Sequence, residues 1–118
     1  MKRILIIDDD PDLLNGLRAL LTNKGYMTKI LQDGNLTVGE TEFFHPDIIL
    51  MDVHIGQVDG REICLQLKHN KKTKHIPVIM ISADANQHEI ISKYEADDFM
   101  EKPFSLRILY SKLESLTA

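Results

Sequence analysis

Three short runs of the chain are almost wholly apolar. They are Arg3-Ile4-Leu5-Ile6-Ile7-Asp8, Asp47-Ile48-Ile49-Leu50-Met51-Asp52 and Ile76-Pro77-Val78-Ile79-Met80-Ile81-Ser82. Runs of this length, rich in β-branched residues, predict strands buried on both faces, as parallel sheets require. Each ends in a side chain that carries oxygen: Asp8, Asp52 or Ser82. Weaker strands are expected at Met27–Leu31 and Asp98–Glu101. Lys29 inside the first of these points to a sheet edge.

Between the strands the period changes to that of a helix. Leu13, Leu14, Leu17, Leu20 and Leu21 form an apolar stripe. Asp10 suits the cap before it, Pro11 its first position and Gly25 its end. Asp59 with Glu62 has the spacing of a capping box for a helix bearing Ile63, Cys64 and Leu67. Ser105 can cap a last helix whose stripe is Leu106, Leu109, Tyr110, Leu113 and Leu116. Weaker helices are expected over 35–44, where Gly39 costs about 1 kcal/mol relative to Ala, and over 86–94. Five strands thus alternate with five helices. That is an α/β chain with an open, doubly wound parallel sheet and helices on both faces. Neither a repeat nor a linker divides it, and residues 1–118 read as one domain.

Composition narrows the function classes. The chain has 118 residues, 43% hydrophobic and 27% charged, and a net charge of −4. These values suit a soluble globular domain and argue against binding polyanions directly. The basic run Lys68–His75 lacks interleaved aromatics and reads as a solvated loop. Cys64 is the only cysteine, so there is no intrachain disulfide and the residue reads as core filler. The N-terminus runs straight into a strand without a signal-peptide pattern, and no apolar stretch is long enough to span a bilayer. A cytoplasmic location is expected.

Ligands of open α/β sheets bind beyond the carboxyl ends of the strands. That rule collects Asp8, Asp9, Asp52, Ser82 and Lys102 at one rim. Three carboxylates placed together repel one another unless a cation compensates them. Mg²⁺ suits such a site, because it takes a few carboxylate oxygens, keeps several waters and commonly binds a phosphate oxygen. Lys102 adds positive charge and Ser82 a hydroxyl donor. A nucleophile, a metal and donors for equatorial oxygens are what phosphoryl transfer needs.

At these residues the chain resembles the receiver domains of two-component response regulators. The resemblance rests on Ile6-Ile7-Asp8-Asp9-Asp10, Leu50-Met51-Asp52 with Asp59-Gly60, Ile81-Ser82-Ala83, Asp97-Asp98-Phe99 and Lys102-Pro103-Phe104, and it covers essentially the whole chain. It implies a flavodoxin-like sheet of strand order 2-1-3-4-5. It implies that Asp52 accepts a phosphoryl group from a sensor histidine kinase or a histidine phosphotransfer protein. Asp9 would ligate Mg²⁺ directly, Asp8 largely through water, and the backbone carbonyl of His54 would complete the protein's share. Lys102 and Ser82 would bind the phosphoryl oxygens, and the bond before Pro103 would be cis. Phe99 would be the aromatic that follows Ser82 inward. The surface of the fourth helix, fifth strand and fifth helix would then change its affinity for a downstream protein or output domain. Such a domain catalyses its own phosphorylation and dephosphorylation and turns over no separate substrate. A monomer or a weak, phosphorylation-dependent dimer is implied, with no direct nucleic-acid or membrane binding.

Several positions keep a second reading. Phe99 is equally a half-buried core aromatic, and Asp10 needs only its capping role. Asp97 and Asp98 are loop acids or partners for surface cations. The imidazole of His54 and the carboxylate of Asp84 either face solvent or overhang the phosphoryl group and tune its hydrolysis. Gly56, four residues after Asp52, replaces a common proline and implies a looser loop. Glu95 stands where a glycine usually follows the fourth helix. Two rival functions remain. A haloacid-dehalogenase-like phosphatase shares the Asp-x-Asp spacing of Asp8-Asp9-Asp10, although here the acidic pair Asp97-Asp98 precedes Lys102. A degenerate receiver would act as an interaction module without phosphorylation.

Overall fold

The three apolar runs form the centre of one parallel sheet. The structure, a computed structural model, describes residues 1–83 and 86–118. Its strands are β1 (Arg3–Ile7), β2 (Met27–Leu31), β3 (Ile48–Asp52), β4 (Val78–Ser82) and β5 (Asp98–Glu101), and they lie in the order β2-β1-β3-β4-β5. All neighbours run parallel. Every residue of β3 and β4 is buried, whereas β2 and β5 are partly exposed at the two edges. Lys29 on β2 reaches Glu40 at 2.5 Å, which places a paired charge on that edge.

The helices are α1 (Pro11–Asn23), α2 (Thr37–Phe44), α3 (Gly60–Lys68), α4 (Gln87–Ser92) and α5 (Leu106–Thr117). Alternate strand residues face opposite layers. Ile4, Ile6, Ile48, Leu50, Ile79 and Ile81 meet Leu14, Leu17 and Leu21 of α1 and Leu109 and Leu113 of α5. Leu5, Ile7, Ile49, Met51, Val78 and Met80 meet Ile63, Cys64 and Leu67 of α3 and Ile90 of α4. Val38 and Phe44 of α2 pack against the same layer. The doubly wound architecture is the one the alternating pattern predicts.

Local signals set the helix ends. The Asp10 carboxylate accepts from the N–H groups of Asp12 and Leu13 at the start of α1. At its far end Gly25, at φ 101°, closes a Schellman turn: its N–H donates to Thr22 O and that of Tyr26 to Leu21 O. Ser105 caps α5 through the N–H of Ile108. Asp59 caps α3 by accepting the N–H of Arg61 rather than that of Glu62, and its carboxylate also accepts from the Arg61 guanidinium. Two expected helices are shorter than their periodicity suggests. The one expected over 35–44 begins as a 3₁₀ turn at Gly34–Leu36, with Asp33 bonding Asn35 N–H. In α4, Asn86 serves as the cap and Tyr94 lies beyond the end.

Candidate functional site

The parallel register brings the strand ends together. Ile7 stands opposite Met51 and Asp52 opposite Ile81, so Asp8, Asp52 and Ser82 end three adjacent strands. Lys102 follows β5, and its N–H donates to Ser82 O at 2.9 Å. Asp8, Asp52 and Ser82 are buried, at 3%, 7% and 1% exposure. The polar cluster is therefore built into the top of the core. Asp9 lies outside it, exposed.

The cluster is organised by donors aimed at carboxylates. Lys102 Nζ donates to Asp8 Oδ2 at 3.1 Å and to Asp52 Oδ2 at 3.0 Å. Asp8 Oδ1 accepts the N–H of Asp10 at 2.9 Å, so the residue that caps α1 also fixes the neighbouring acid. Asp52 Oδ1 accepts the N–H of His54 at 3.3 Å, and Asp9 Oδ2 that of Gly56 at 3.1 Å. Burial pushes Asp8 up to about 6 and the charge of Asp52 adds to this, against the Asp10 N–H and Lys102. Burial also works against the Lys102 charge, but bonds to Asp52 and Asp8 outweigh it and hold the ammonium above its usual value. One lysine thus serves two buried acids, and the site remains short of positive charge.

Asp8, Asp9 and Asp52 bring one carboxylate oxygen each to within 4.8 Å of one another. Hard oxygen donors at that spacing, together with an acid made hard to ionise, fit a divalent cation such as Mg²⁺.

The segment after Asp52 is more specific than its sequence suggests. His54–Ile55 pairs antiparallel with Val58–Asp59 in a short hairpin. Gly56 sits at φ 60° in its two-residue turn, a conformation that favours glycine. The expectation of a looser loop thus meets a tight turn whose glycine N–H holds Asp9. Gly60 closes the hairpin: its N–H donates to Val53 O at 2.7 Å. A Cβ built on Gly60 would overlap the backbone carbonyl oxygen of Asp52. Nothing in the hydrophobic pattern marks Gly60 for this close approach. The signal available was a glycine in the first turn of a helix, where it costs helix propensity and needs a reason.

Phe99 is in the core, 7% exposed, in one apolar cluster with Met80, Ile90 and Ala96. The Lys102–Pro103 bond is cis, and Glu95 is left-handed at φ 62°. Asp97 and Asp98 partner cations, Lys68 at 2.5 Å and Lys112 at 2.9 Å. His54 is exposed at the rim. Asp84 lies outside the described residues.

Comparison with known proteins decides what kind of rim this is. The family model of the response regulator receiver domain matches residues 4–114. The chain belongs to that family. A receiver domain is a module of phosphorylation-controlled signalling in two-component systems rather than an enzyme of the usual kind. The nisin biosynthesis regulatory protein NisR of Lactococcus lactis subsp. lactis is 33% identical over 96% of the chain and 49% of its own length. The signal receiver domain of a signal transduction histidine kinase from Syntrophus aciditrophicus superposes with a TM-score of 0.88 at 30% identity, covering 99% of this chain and 90% of that one. The receiver domain of a sensor histidine kinase from Pseudomonas aeruginosa PAO1 has a TM-score of 0.88 at 25% identity, covering 98% and 97%. That structure has a magnesium ion coordinated in its active-site cleft. The chain spans about half the length, or less, of the curated relatives it matches. Among the described residues, no helix is long and apolar enough to cross a membrane.

Proposed function

We propose that residues 1–118 act as one receiver domain in which Asp52 is the phosphoryl acceptor. The observation that carries this reading is the bridge from Lys102 to both Asp8 and Asp52, buried at the strand-end rim. An Asp52 oxygen attacks the phosphorus of a phosphohistidine on a sensor kinase or phosphotransfer protein. The bond from phosphorus to the imidazole nitrogen breaks as the new P–O bond forms, and the imidazole leaves with the electron pair. The product is an acyl phosphate on Asp52.

Asp8, Asp9, Asp52 and the His54 carbonyl would hold Mg²⁺, which when bound neutralises charge on the phosphoryl oxygens. Lys102 turns from the Asp52 carboxylate to a phosphoryl oxygen, within reach of its present position. The Ser82 hydroxyl donates to another. Phe99 settles behind Ser82, and the α4, β5 and α5 surface changes its affinity for a partner. Hydrolysis of the acyl phosphate, tuned by groups at the rim, resets the domain. A cytoplasmic protein that receives its phosphoryl group from a histidine kinase is the setting this chemistry fits.

The test is phosphorylation by acetyl phosphate with Mg²⁺. Wild type should take up one phosphoryl group that is lost both in brief alkali and in brief hydroxylamine, treatments that Ser, Thr and His phosphates survive far better than an acyl phosphate does. Asp52→Asn should take up none. Stoichiometric, base-stable phosphate on Asp52→Asn would place the nucleophile elsewhere.

A further inference from the structure

Helix α4 has six residues, and Ile90 is the buried one. It lies beside β5, and its side-chain tie to α3 is polar. At the lower end of α3, Lys68 pairs with Asp97 at 2.5 Å and His69 with Glu95 at 2.5 Å, and both acids lie in the segment that follows α4. Lys68 also donates to Ile76 O at 2.7 Å. These contacts are remote from the acidic rim.

At the upper end stands Arg61, in the first turn of α3. Its Nε and Nη2 form a fork on Asp59, at 3.0 and 2.9 Å. Its Nη1 reaches Glu89 of α4 at 3.4 Å. Its guanidinium lies over the ring of Tyr94, 5.3 Å from the centroid. Tyr94 is 6% exposed, so this is not a pair of loose surface chains. Asp59 belongs to the hairpin that follows the acceptor, opposite His54. Gly60, between Asp59 and Arg61, lies against the Asp52 carbonyl and donates to Val53 O. No step from Asp52 to α4 spans open solvent: Asp52 and Val53 touch Gly60, Gly60 adjoins Arg61, and Arg61 holds Glu89 and Tyr94.

We propose that Arg61 is a positioning residue that ties α4 to the hairpin after Asp52 and relays the state of the acidic site to that helix. A surface ion pair alone would carry little. Three features set Arg61 apart: the fork on Asp59 is bidentate, the aromatic partner is buried, and the helix it holds has few other attachments. Arg61 holds Asp59 below the usual carboxylate range, chiefly through the side-chain hydrogen bond, so the fork stays ionised at neutral pH. The pairs at the lower end fix the segment after α4, and Arg61 joins Glu89 of α4 to Asp59 of the acceptor's hairpin. The relay rests on Asp52 being the acceptor, whereas the tie itself does not.

The test is amide hydrogen exchange of α4 in the full chain, for wild type, Arg61→Met and Arg61→Lys, first without a phosphodonor and then with acetyl phosphate and Mg²⁺. Arg61→Met keeps the aliphatic stem and removes the fork. Without donor, exchange of the α4 amides should rise about fivefold in Arg61→Met, with β3 amides unchanged. Arg61→Lys, which keeps the charge but not the fork, should fall between. With donor, both wild type and Arg61→Met should carry phosphate on Asp52, but the change in α4 exchange seen in wild type should be absent in Arg61→Met. Unchanged α4 exchange in Arg61→Met without donor, or a full phosphorylation response in that variant, would overturn the proposal. A wild type that takes up no phosphate would remove the Asp52 reading, and the donor-free comparison would still decide the tie.

Discussion

Helices α1 and α4 flank the same rim and are held in opposite ways. Helix α1 has thirteen residues, a capping aspartate, a glycine-closed end and three buried leucines at 14, 17 and 21. Helix α4 has six residues and buries Ile90 alone; it lies beside β5, Arg61 reaches its Glu89, and the pairs below fix the segment that follows it. Apolar burial is additive and indifferent to charge at the site, whereas a fork of charged hydrogen bonds responds to any movement of its partners. The contrast suits α1 to the framework and α4 to the switching role proposed for it. Elements that switch come from the less stable end of a structure.

The largest expected effect separates the two helices by truncation. Leu17→Ala should lower global stability by about 3 kcal/mol in denaturant melts, because α1 cannot open without exposing a whole layer. Ile90→Ala removes an equally buried side chain, yet its cost should be capped at the free energy of opening α4 alone, roughly 2 kcal/mol. Exchange of the α4 amides should then rise far more than that of β1 or β3. Equal global losses, with uniform exchange, would show that α4 is as much a part of the framework as α1.

Charge gives a second separation. Asp8 is joined to the cap of α1 through the Asp10 N–H. Its folded-state value of about 6 lies above the ordinary 3.8, so the folded chain binds this proton more tightly than the unfolded one. Its contribution is therefore complete below about pH 4 and lost as pH rises through 6. In metal-free solution that loss amounts to roughly 3 kcal/mol. Asp8→Asn should abolish this pH dependence and be the more stable protein at pH 7.5, with α4 exchange unaltered. Thermal melts from pH 4 to 8 check it. Mg²⁺ should raise the wild-type melting temperature by binding only the folded state, and Asp9→Ala should lose most of that shift.

The smallest effect lies beyond α4. Glu95 is left-handed at φ 62° and pairs with His69. Glu95→Gly should gain a little under 1 kcal/mol, since relief of the Cβ strain exceeds the loss of an exposed pair. A loss in the melt would mean that the pair with His69 matters more than the strain.

These contrasts also mark what the sequence made legible. The framework could be read because burial leaves a periodic trace: two-faced apolar strands, a leucine stripe, a capping Asp10, a closing Gly25. The rim could be read because strands ending in Asp8, Asp52 and Ser82 have no structural need to do so. What could not be read depends on backbone meeting backbone. Gly60 is glycine because the Asp52 carbonyl occupies the space of a Cβ, and Gly56 because a tight turn aims its N–H at Asp9. Arg61 looks like any exposed helix residue until Asp59, Glu89 and Tyr94 gather around it. The short α4 could be read only in part, since a helix that buries Ile90 alone leaves no stripe.

The central claim is that Asp52 carries the phosphoryl group, and borohydride trapping tests it most directly. An acyl phosphate is reduced by borohydride to the alcohol, which converts the aspartate to homoserine, whereas free carboxylates and phosphate esters are untouched. After treatment with acetyl phosphate and Mg²⁺, then borohydride, peptide mapping should find homoserine at position 52, with Asp8 and Asp9 unchanged. Homoserine at position 8 or 9, or phosphate retained on a serine, threonine or histidine, would contradict the account.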